Sequence, residues 1–200
     1  LSLMEYSQKN SVPLLARGGG SSQCGQTVGE SVVLDYSKHQ NKILELNVEE
    51  KYVWVQPGVV LDHLNAYLKP HGLWFPVDVS TSSRATIGGM SANNSCGSRS
   101  LYYGNMVHNV LAIEAILDDG SIFNFDQINK NYLATKNNQD RLYKIIDKFI
   151  DVRQKVGSEI DANWPTTQRR VGGYNIDLID PEGFNSSNLL VGSEGTLSLS

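Results

Sequence analysis

The stretch RGGGSSQCGQ, residues 17–26, directly follows a short apolar run at residues 12–16 that predicts a buried strand. Glycine tolerates positive φ and lets a ligand approach the backbone without a Cβ in the way. Successive N–H groups in such a loop point into one concavity that binds anions, and Ser21 and Ser22 add hydroxyl donors. The pattern predicts a loop able to cradle a pyrophosphate without a lysine. Taken alone, however, a glycine-rich turn is more often structural.

Two familiar nucleotide-binding motifs are absent from this stretch. No Gly-Lys-Ser/Thr follows the glycines, which excludes a Walker A loop, and no Gly-x-Gly-x-x-Gly opens a helix ahead of a suitably spaced acid. Asp35 ends a predicted strand beside Tyr36 and Ser37, and we interpret it as a strand-end residue. The loop can therefore be assigned only through partners elsewhere in the chain.

The composition is that of an ordinary globular chain. Its 200 residues are 40% hydrophobic and 19% charged, and the net charge of -4 argues against a nucleic-acid-binding surface. No apolar run has the length needed to cross a bilayer. Cys24 and Cys96 are too few for a disulfide framework, an iron–sulfur cluster or a structural zinc site, and favour a reducing compartment. Because the sequence begins with Leu1 and stops within a predicted strand, we expect a fragment of a longer polypeptide.

Periodicity predicts an alternation of strands and helices around the glycine loops. The expected elements are a helix end at 1–10, strands at 12–16 and 32–35, a hairpin at 42–47 and 52–56, a helix at 60–68, a hairpin at 110–117 and 122–125, a helix at 140–156 and a strand at 189–191.

Two further segments are rich in small residues. The run ATIGGMSANNSCG, residues 85–97, would make a poor core. It suits a close-fitting wall for a planar polar ring, whose heteroatoms would meet backbone N–H groups and Asn or Ser side chains. The turn GSEG, residues 192–195, follows the last predicted strand. Glycine-rich loops thus occur three times along the chain.

The three segments RGGGSSQCGQTVG, ATIGGMSANNSCG and LVGSEGTL, residues 17–29, 85–97 and 190–197, resemble the signatures of one family. It is the FAD-linked oxidase and dehydrogenase family with the vanillyl-alcohol-oxidase (PCMH-type) flavin domain. The segments occur in the family's order, and the similarity covers nearly the whole chain. The bacterial D-lactate, glycolate and D-2-hydroxyglutarate dehydrogenases are most similar in character, in particular the subgroup whose flavin part is often followed by an iron–sulfur segment.

The resemblance implies an α+β fold of two α/β subdomains with FAD between them. The first subdomain, residues 1–75, would hold the pyrophosphate loop and a small, mainly parallel sheet. The second, residues 76–200, would hold an antiparallel sheet, helices and the flavin wall. The family's substrate or cap domain would lie outside this chain. By motif match the FAD-binding residues would be Arg17, Gly18, Gly19, Gly20, Ser21, Ser22, Gly25, Gln26, Pro76, Asp78, Thr86, Gly88, Gly89, Ser91, Asn94, Gly97, Tyr103, Gly104, Glu194, Gly195 and Leu197.

One departure bears on how the cofactor is held. Relatives that attach FAD covalently often carry His where Ser21 stands, so the resemblance favours non-covalent FAD, with a link through Cys96 as the alternative. Arg169 resembles a position near the substrate and could grip a carboxylate, although a solvated surface arginine is the competing interpretation. The four histidines show no metal-ligand spacing, and we assign them no catalytic role and expect no metal.

The function implied is oxidation of a small 2-hydroxy acid by hydride transfer to flavin N5, with reoxidation by an iron–sulfur segment or a quinone. The catalytic base would lie in the cap domain. The alternatives are a sugar or aldonolactone oxidase or an enolpyruvyl reductase of the same fold, and a non-catalytic nucleotide-binding module. The expected location is the cytoplasm, either free or peripheral to the inner membrane.

Overall fold

The computed structural model of the protein describes residues 2–134 and 140–200. In these ranges the helices are α1 Ser2–Asn10, α2 Leu61–Leu68, α3 Ile87–Ala92, α4 Ser100–Tyr103, α5 Lys130–Ala134 and α6 Arg141–Asn163. The strands are β1 Leu14–Arg17, β2 Val32–Asp35, β3 Ile43–Asn47, β4 Tyr52–Val55, β5 Ile113–Ile116, β6 Ile122–Phe125, β7 Gln127–Asn129 and β8 Gly183–Asn185. Short 3₁₀ turns lie at Lys69–His71, Met106–His108, Ile176–Leu178 and Ser186–Leu189.

The strands of the described residues pair two by two. β1 and β2 are parallel, whereas β3–β4, β5–β6 and β7–β8 are antiparallel. Both predicted hairpins are therefore confirmed. The expected mainly parallel sheet of the first 75 residues is correct for β1–β2 only, because β3 and β4 are joined by a tight turn that can only reverse the chain.

The helix α2 contributes side chains to two different hydrophobic clusters. Leu64 and Leu68 face the hairpin β3–β4 and pack with Val53 and Val55. Leu61, on the other side of the helix, packs with the buried residues beneath the small-residue wall, among them Val77, Ala85, Met90, Met106 and Val191. These residues are 0–6% exposed, so the wall packs on a buried hydrophobic cluster.

A third cluster is built on α6. This helix begins at Arg141. Asp140 caps it by accepting the N–H of Leu142 at 2.9 Å, and the helix buries Leu142, Ile146 and Ile150 against Phe125. The predicted helix at 140–156 is confirmed but continues to Asn163, because Ile160 is also buried.

The strand predicted at 189–191 is wrong. Asn185 caps a 3₁₀ turn by accepting the N–H of Ser187 at 3.0 Å, and the N–H groups of Leu190 and Val191 both bond back to Ser187 O. A short buried apolar run has the same appearance in a strand and in a buried turn, so periodicity could not distinguish them.

Candidate functional site

A cleft of about 760 Å³ lies between the loop after β1, the helix α3 with the turn that follows it, and the loop at residues 193–195. This volume lies within the range typical of small-molecule sites. The structure brings fifteen of the predicted cofactor residues into its lining: Arg17, Gly18, Gly19, Gly20, Ser21, Ser22, Gln26, Asp78, Thr86, Gly88, Gly89, Ser91, Gly97, Glu194 and Gly195.

The first wall is the loop after β1, and its glycines are required by close packing. A Cβ on Gly18 would overlap Thr86 Oγ1, and a Cβ on Gly19 would overlap the carbonyl of Arg84. Gly20 has φ +62°, a conformation that L side chains rarely adopt. The loop therefore lies directly against the start of α3.

This loop offers hydrogen-bond donors to a ligand. Among the hydrogen bonds of the described residues, none is donated by the backbone N–H of Gly19, Gly20, Ser21 or Ser22. Arg17, which begins the loop, also lines the cleft and has no ion pair within the described part of the chain. Free N–H groups beside an unpaired guanidinium are suited to binding an anion.

The second wall is α3. Thr86 caps it by accepting the N–H of Gly89 at 3.4 Å, and the N–H groups of Ile87 and Gly88 donate to Val59 O and Pro57 O at 2.8 Å. A Cβ on Gly88 would lie 2.9 Å from Pro57 Cα, so only glycine allows this approach. Backbone contacts thus anchor the wall to the segment before α2.

The third wall is tied to the end of α3. The N–H of Gly192 donates to Ser91 O at 2.9 Å, and the N–H of Glu194 donates to Ala92 O at 3.0 Å. Glu194 Oε1 accepts the side-chain amide of Asn93 at 2.9 Å. These bonds bring the second and third glycine-rich segments to one edge of the cleft.

Asp78 supports the turn at residues 97–99. Its carboxylate accepts the hydroxyl of Ser98 at 2.7 Å and the backbone N–H of Arg99 at 2.9 Å. Burial by itself would raise the pKa of Asp78. These two hydrogen bonds, together with its own backbone N–H and the charge of Arg99, outweigh burial and lower the pKa below its ordinary value. The carboxylate is therefore held in its ionised form, and a Cβ on Gly97 would overlap Asp78.

Six predicted cofactor residues lie outside the lining of the cleft, and their contact with a cofactor stays a prediction. They are Gly25, Pro76, Asn94, Tyr103, Gly104 and Leu197. Gly25 lies in the first loop with open space around it, Gly104 packs against His108, and Leu197 packs on the α6 cluster. Tyr103 faces Trp74, with a ring-centroid distance of 5.1 Å.

Asn94 is the most distinct of these six, because it is 1% exposed and structural. Its Oδ1 accepts the N–H of Val107 at 3.0 Å, and its Nδ2 donates to Asn175 Oδ1 at 3.4 Å. Asn175 in turn donates to Val191 O at 2.7 Å. The residue was predicted from its place in the wall motif, and its amide lies in this buried network at a backbone φ of +49°.

The two neighbouring arginines have different surroundings. Arg169 is exposed, and its guanidinium donates to Gly97 O at 3.4 Å, near the rim of the cleft. Arg170 is mostly buried, pairs with Asp177 at 2.6 Å and stacks over Trp164 at 4.9 Å. Arg169 is thus the one free to meet a ligand, and its role toward a substrate stays a prediction.

The cleft also contains residues that the motifs did not indicate. Tyr36, Pro57, Thr81 and Val171 all line it. Burial raises the pKa of Tyr36 above its ordinary value. Tyr36 and Pro57 stand beside predicted strand ends, which was the only signal in the sequence that could have placed them near a site.

Two kinds of feature are absent from the described residues. Within residues 2–134 and 140–200 there is no group of three or more His, Cys, Asp and Glu side chains that could hold a metal ion. In the same part of the chain, no helix has the length and apolar character needed to span a membrane.

Residues 1–126 match the family described as FAD binding domain. The chain belongs to this FAD-binding family. The FAD-binding domain is 37% identical to the D-2-hydroxyglutarate dehydrogenase of Haemophilus influenzae over 98% of this chain and 19% of that protein. It is 37% identical to the enzyme of the same name from Escherichia coli over 90% of this chain and 18% of that protein. The chain therefore spans about a fifth of the length of these relatives.

Other relatives match a shorter part of the FAD-binding domain. The mitochondrial D-lactate dehydrogenase [cytochrome] of Kluyveromyces lactis is 40% identical over 60% of this chain and 21% of that protein. Among solved structures, 6-hydroxy-D-nicotine oxidase from Arthrobacter nicotinovorans superposes with a TM-score of 0.54 at 18% identity, covering 60% of this chain and 26% of that one. An alkyldihydroxyacetonephosphate synthase gives 0.52 at 24% identity, covering 60% and 25%. The mixed helix and strand fold is thus shared with both.

The cleft fits FAD in two independent respects. Gln26 Oε1 is buried at the cleft and has no hydrogen-bond partner among the described residues, which leaves an acceptor for a ligand hydroxyl or amine. At Gly195, φ is +79° and a Cβ would meet nothing within 4 Å, so the backbone there is open to a close approach. Together with the free donors of the first loop, the residues present suit a dinucleotide with a pyrophosphate.

Proposed function

We propose that the cleft binds FAD non-covalently, with the pyrophosphate on the loop after β1. The unused N–H groups of residues 19–22 and the guanidinium of Arg17 support this placement. The flavin ring lies along α3 and the turn at residues 95–97, and the adenosine half near Glu194 and Gly195. Ser21 occupies the position where a histidyl link would form, and a serine hydroxyl cannot make that bond.

In this proposal FAD lies between two units, residues 1–75 and 76–200. The support is that the lining of the cleft comes from both ranges, with residues 14–36 on one side and residues 78–98 and 190–200 on the other. Ligands commonly bind where two such units meet, since each contributes polar groups that neither could present alone.

We propose further that the protein is a flavin-dependent oxidoreductase that oxidises a small 2-hydroxy acid. The observation that carries this is the 37% identity to D-2-hydroxyglutarate dehydrogenases over 98% of the chain, with the cleft-lining loops complete. When bound, FAD supplies a hydride acceptor at its N5 atom. In this proposal the residues that line the cleft hold the cofactor, and Arg169, whose guanidinium donates to Gly97 O, meets a substrate carboxylate.

The remaining parts of the proposal concern the catalytic base, the electron acceptor and the location of the protein. The catalytic base belongs to a substrate domain elsewhere in the polypeptide, and the electron acceptor is an iron–sulfur segment or a quinone. The protein acts in the cytoplasm, either free or at the inner membrane.

The absorbance spectrum of the purified protein tests the cofactor assignment. Flavin bands that leave the protein as free FAD on acid precipitation support non-covalent binding, and bands that remain on the precipitate contradict it. A colourless protein that takes up no added FAD leaves a non-catalytic nucleotide-binding module as the better description.

Anaerobic bleaching of the flavin tests the substrate class. The full-length protein is mixed with D- and L-2-hydroxy acids, a sugar and an aldonolactone. Bleaching by a 2-hydroxy acid is the expected result. If only the sugar or the lactone bleaches the flavin, the protein is an oxidase of the alternative substrate class.

A further inference from the structure

A group of aromatic side chains is exposed on a face that the cleft does not use. Tyr102 is 85% exposed, Leu101 61%, Trp74 43% and Tyr103 42%. The rings are in contact: Trp74 and Tyr103 meet edge to face at 5.1 Å, and Tyr102 and Tyr103 meet at 4.8 Å. We call Trp74, Leu101, Tyr102 and Tyr103 the aromatic face. Exposed apolar patches are candidates for interaction sites when they are contiguous.

Two cations lie at the edge of the aromatic face. Lys69 and Arg99 line a shallow depression together with Trp74 and Tyr103, and no acidic residue contributes to its lining. The Arg99 guanidinium stacks over Trp74 at 5.0 Å. Neither cation forms an ion pair within the described residues. The charge of Arg99 helps to lower the pKa of Asp78. The two carboxylate oxygens of Asp78 accept hydrogen bonds from the Ser98 hydroxyl and the Arg99 backbone N–H rather than from the Arg99 guanidinium.

The residue types of the aromatic face, and the contacts that hold its rings in place, favour a protein partner. Trp, Tyr and Arg are the side chains that most often dominate the binding energy of protein interfaces. Here their mutual stacking holds the rings of Trp74 and Tyr103 in place before binding, which reduces the entropy lost on association. Leu101, Tyr102 and Tyr103 of the face lie on the helix α4, and Lys69 lies in the 3₁₀ turn Lys69–His71.

Charge identifies the chemistry of the partner. The chain as a whole is acidic, with a net charge of -4, yet this face presents two unpaired cations and no carboxylate of its own within its lining. We propose that the aromatic face docks an acidic protein segment, which places an apolar side chain over Trp74 and Tyr103 and carboxylates beside Lys69 and Arg99. None of the four residues of the aromatic face lines the cleft. The motif match assigns Tyr103 to the cofactor, so Tyr103 is left unchanged in the tests that follow.

Fluorine NMR of the protein labelled with 5-fluorotryptophan tests this proposal. The chain has three tryptophans, and a Trp74→Phe variant assigns the resonance of Trp74. The probe is a capped hexapeptide with a Leu-Phe centre flanked by four glutamates, and its counterpart carries lysines instead. The glutamate peptide is expected to shift the Trp74 resonance saturably, with a Kd below about 5 mM. The lysine peptide is expected to leave it unmoved.

Variants with matched controls separate the face from general surface effects. Lys69→Glu and Tyr102→Ser are each expected to weaken the glutamate peptide about tenfold. Lys148→Glu and Tyr6→Ser, made at exposed positions of α6 and α1, are expected to leave its affinity unchanged. FAD content is measured on every variant and should not fall with Lys69→Glu or Tyr102→Ser.

Four outcomes overturn the proposal. They are no saturable shift with the glutamate peptide, equal shifts with both peptides, a shift produced by phosphatidylglycerol vesicles in place of the peptide, and self-association that Tyr102→Ser abolishes. The third would point to a lipid surface and the fourth to a second copy of the chain. None of them bears on FAD binding, which the spectrum tests separately.

Discussion

Gly18 packs directly against Thr86: a Cβ on Gly18 would overlap Thr86 Oγ1 and lie 3.3 Å from Thr86 Cβ. Thr86 is 2% exposed, and it caps α3 through the N–H of Gly89. It cannot give way without breaking that cap. This contact joins the first glycine-rich loop to the second. Two segments that are distant in the sequence thereby form adjacent walls of the cleft.

Replacing Gly18 with Ala is expected to cost about 1–3 kcal/mol in the free energy of unfolding, because the added methyl group forces Thr86 to move. FAD affinity should fall with it. Urea unfolding and FAD titration measure the two effects. Gly29→Ala is the control, since a Cβ there meets only Ser31 Oγ, at 3.8 Å. Equal stability of the two variants would contradict the close packing.

Replacing Asp78 with Asn is expected to destabilise the protein by about 1 kcal/mol at neutral pH, because two hydrogen bonds to a charged group are weakened. The lowered pKa of Asp78 means that the ionised carboxylate stabilises the fold above its ordinary pKa of 3.8. This stabilisation is lost as the pH falls through the lower folded-state pKa. The difference from the wild-type protein should therefore shrink in acid, as thermal unfolding between pH 7 and pH 3 would show. Asp151→Asn, on the exposed side of α6, is the control.

Replacing Asn94 with Ala is expected to cost about 2–3 kcal/mol, because it leaves the N–H of Val107 and the amide of Asn175 without their buried partner. Chemical unfolding gives the value. Asn163→Ala, at the exposed end of α6, should change stability by less than about 0.5 kcal/mol. A small effect at Asn94 would mean that its amide is not part of a buried network.

Replacing Asp177 with Asn is expected to destabilise the protein by about 2 kcal/mol, because it leaves the guanidinium of Arg170 mostly buried and unpaired. The fluorescence of Trp164, on which that guanidinium stacks, should change as well. The matched change is Asp161→Asn, whose more exposed carboxylate pairs with Arg153. It should have a smaller effect.

Replacing Arg17 with Gln is expected to weaken FAD binding at least tenfold, if its charge faces the pyrophosphate as proposed. The loss should diminish at high salt, where the charge is screened. Arg84→Gln removes an exposed guanidinium that lies outside the lining of the cleft, and it should leave the affinity unchanged. Fluorescence titration with FAD at two salt concentrations distinguishes the two variants.

The sequence predicted local elements well where one physical rule governed them. The hairpins β3–β4 and β5–β6 and the helix α6 were predicted from periodicity and turn residues, and the structure confirms them. The turn at Ser186–Leu189 was mistaken for a strand, because an apolar run alone does not reveal the cap made by Asn185. Asn94 was assigned to the cofactor by its motif. In the structure its buried amide bonds with Val107 and Asn175, and its contact with a cofactor stays a prediction.

The sequence by itself indicated a cofactor-binding chain, because three segments of small residues occur in the order of one FAD-binding family. The tertiary structure alone decided which of those residues share a surface. Gly18 meets Thr86, and Gly192 meets Ser91, through contacts between segments far apart in the chain. Such contacts depend on how the buried clusters pack beneath the wall. Local secondary-structure propensity does not predict that packing.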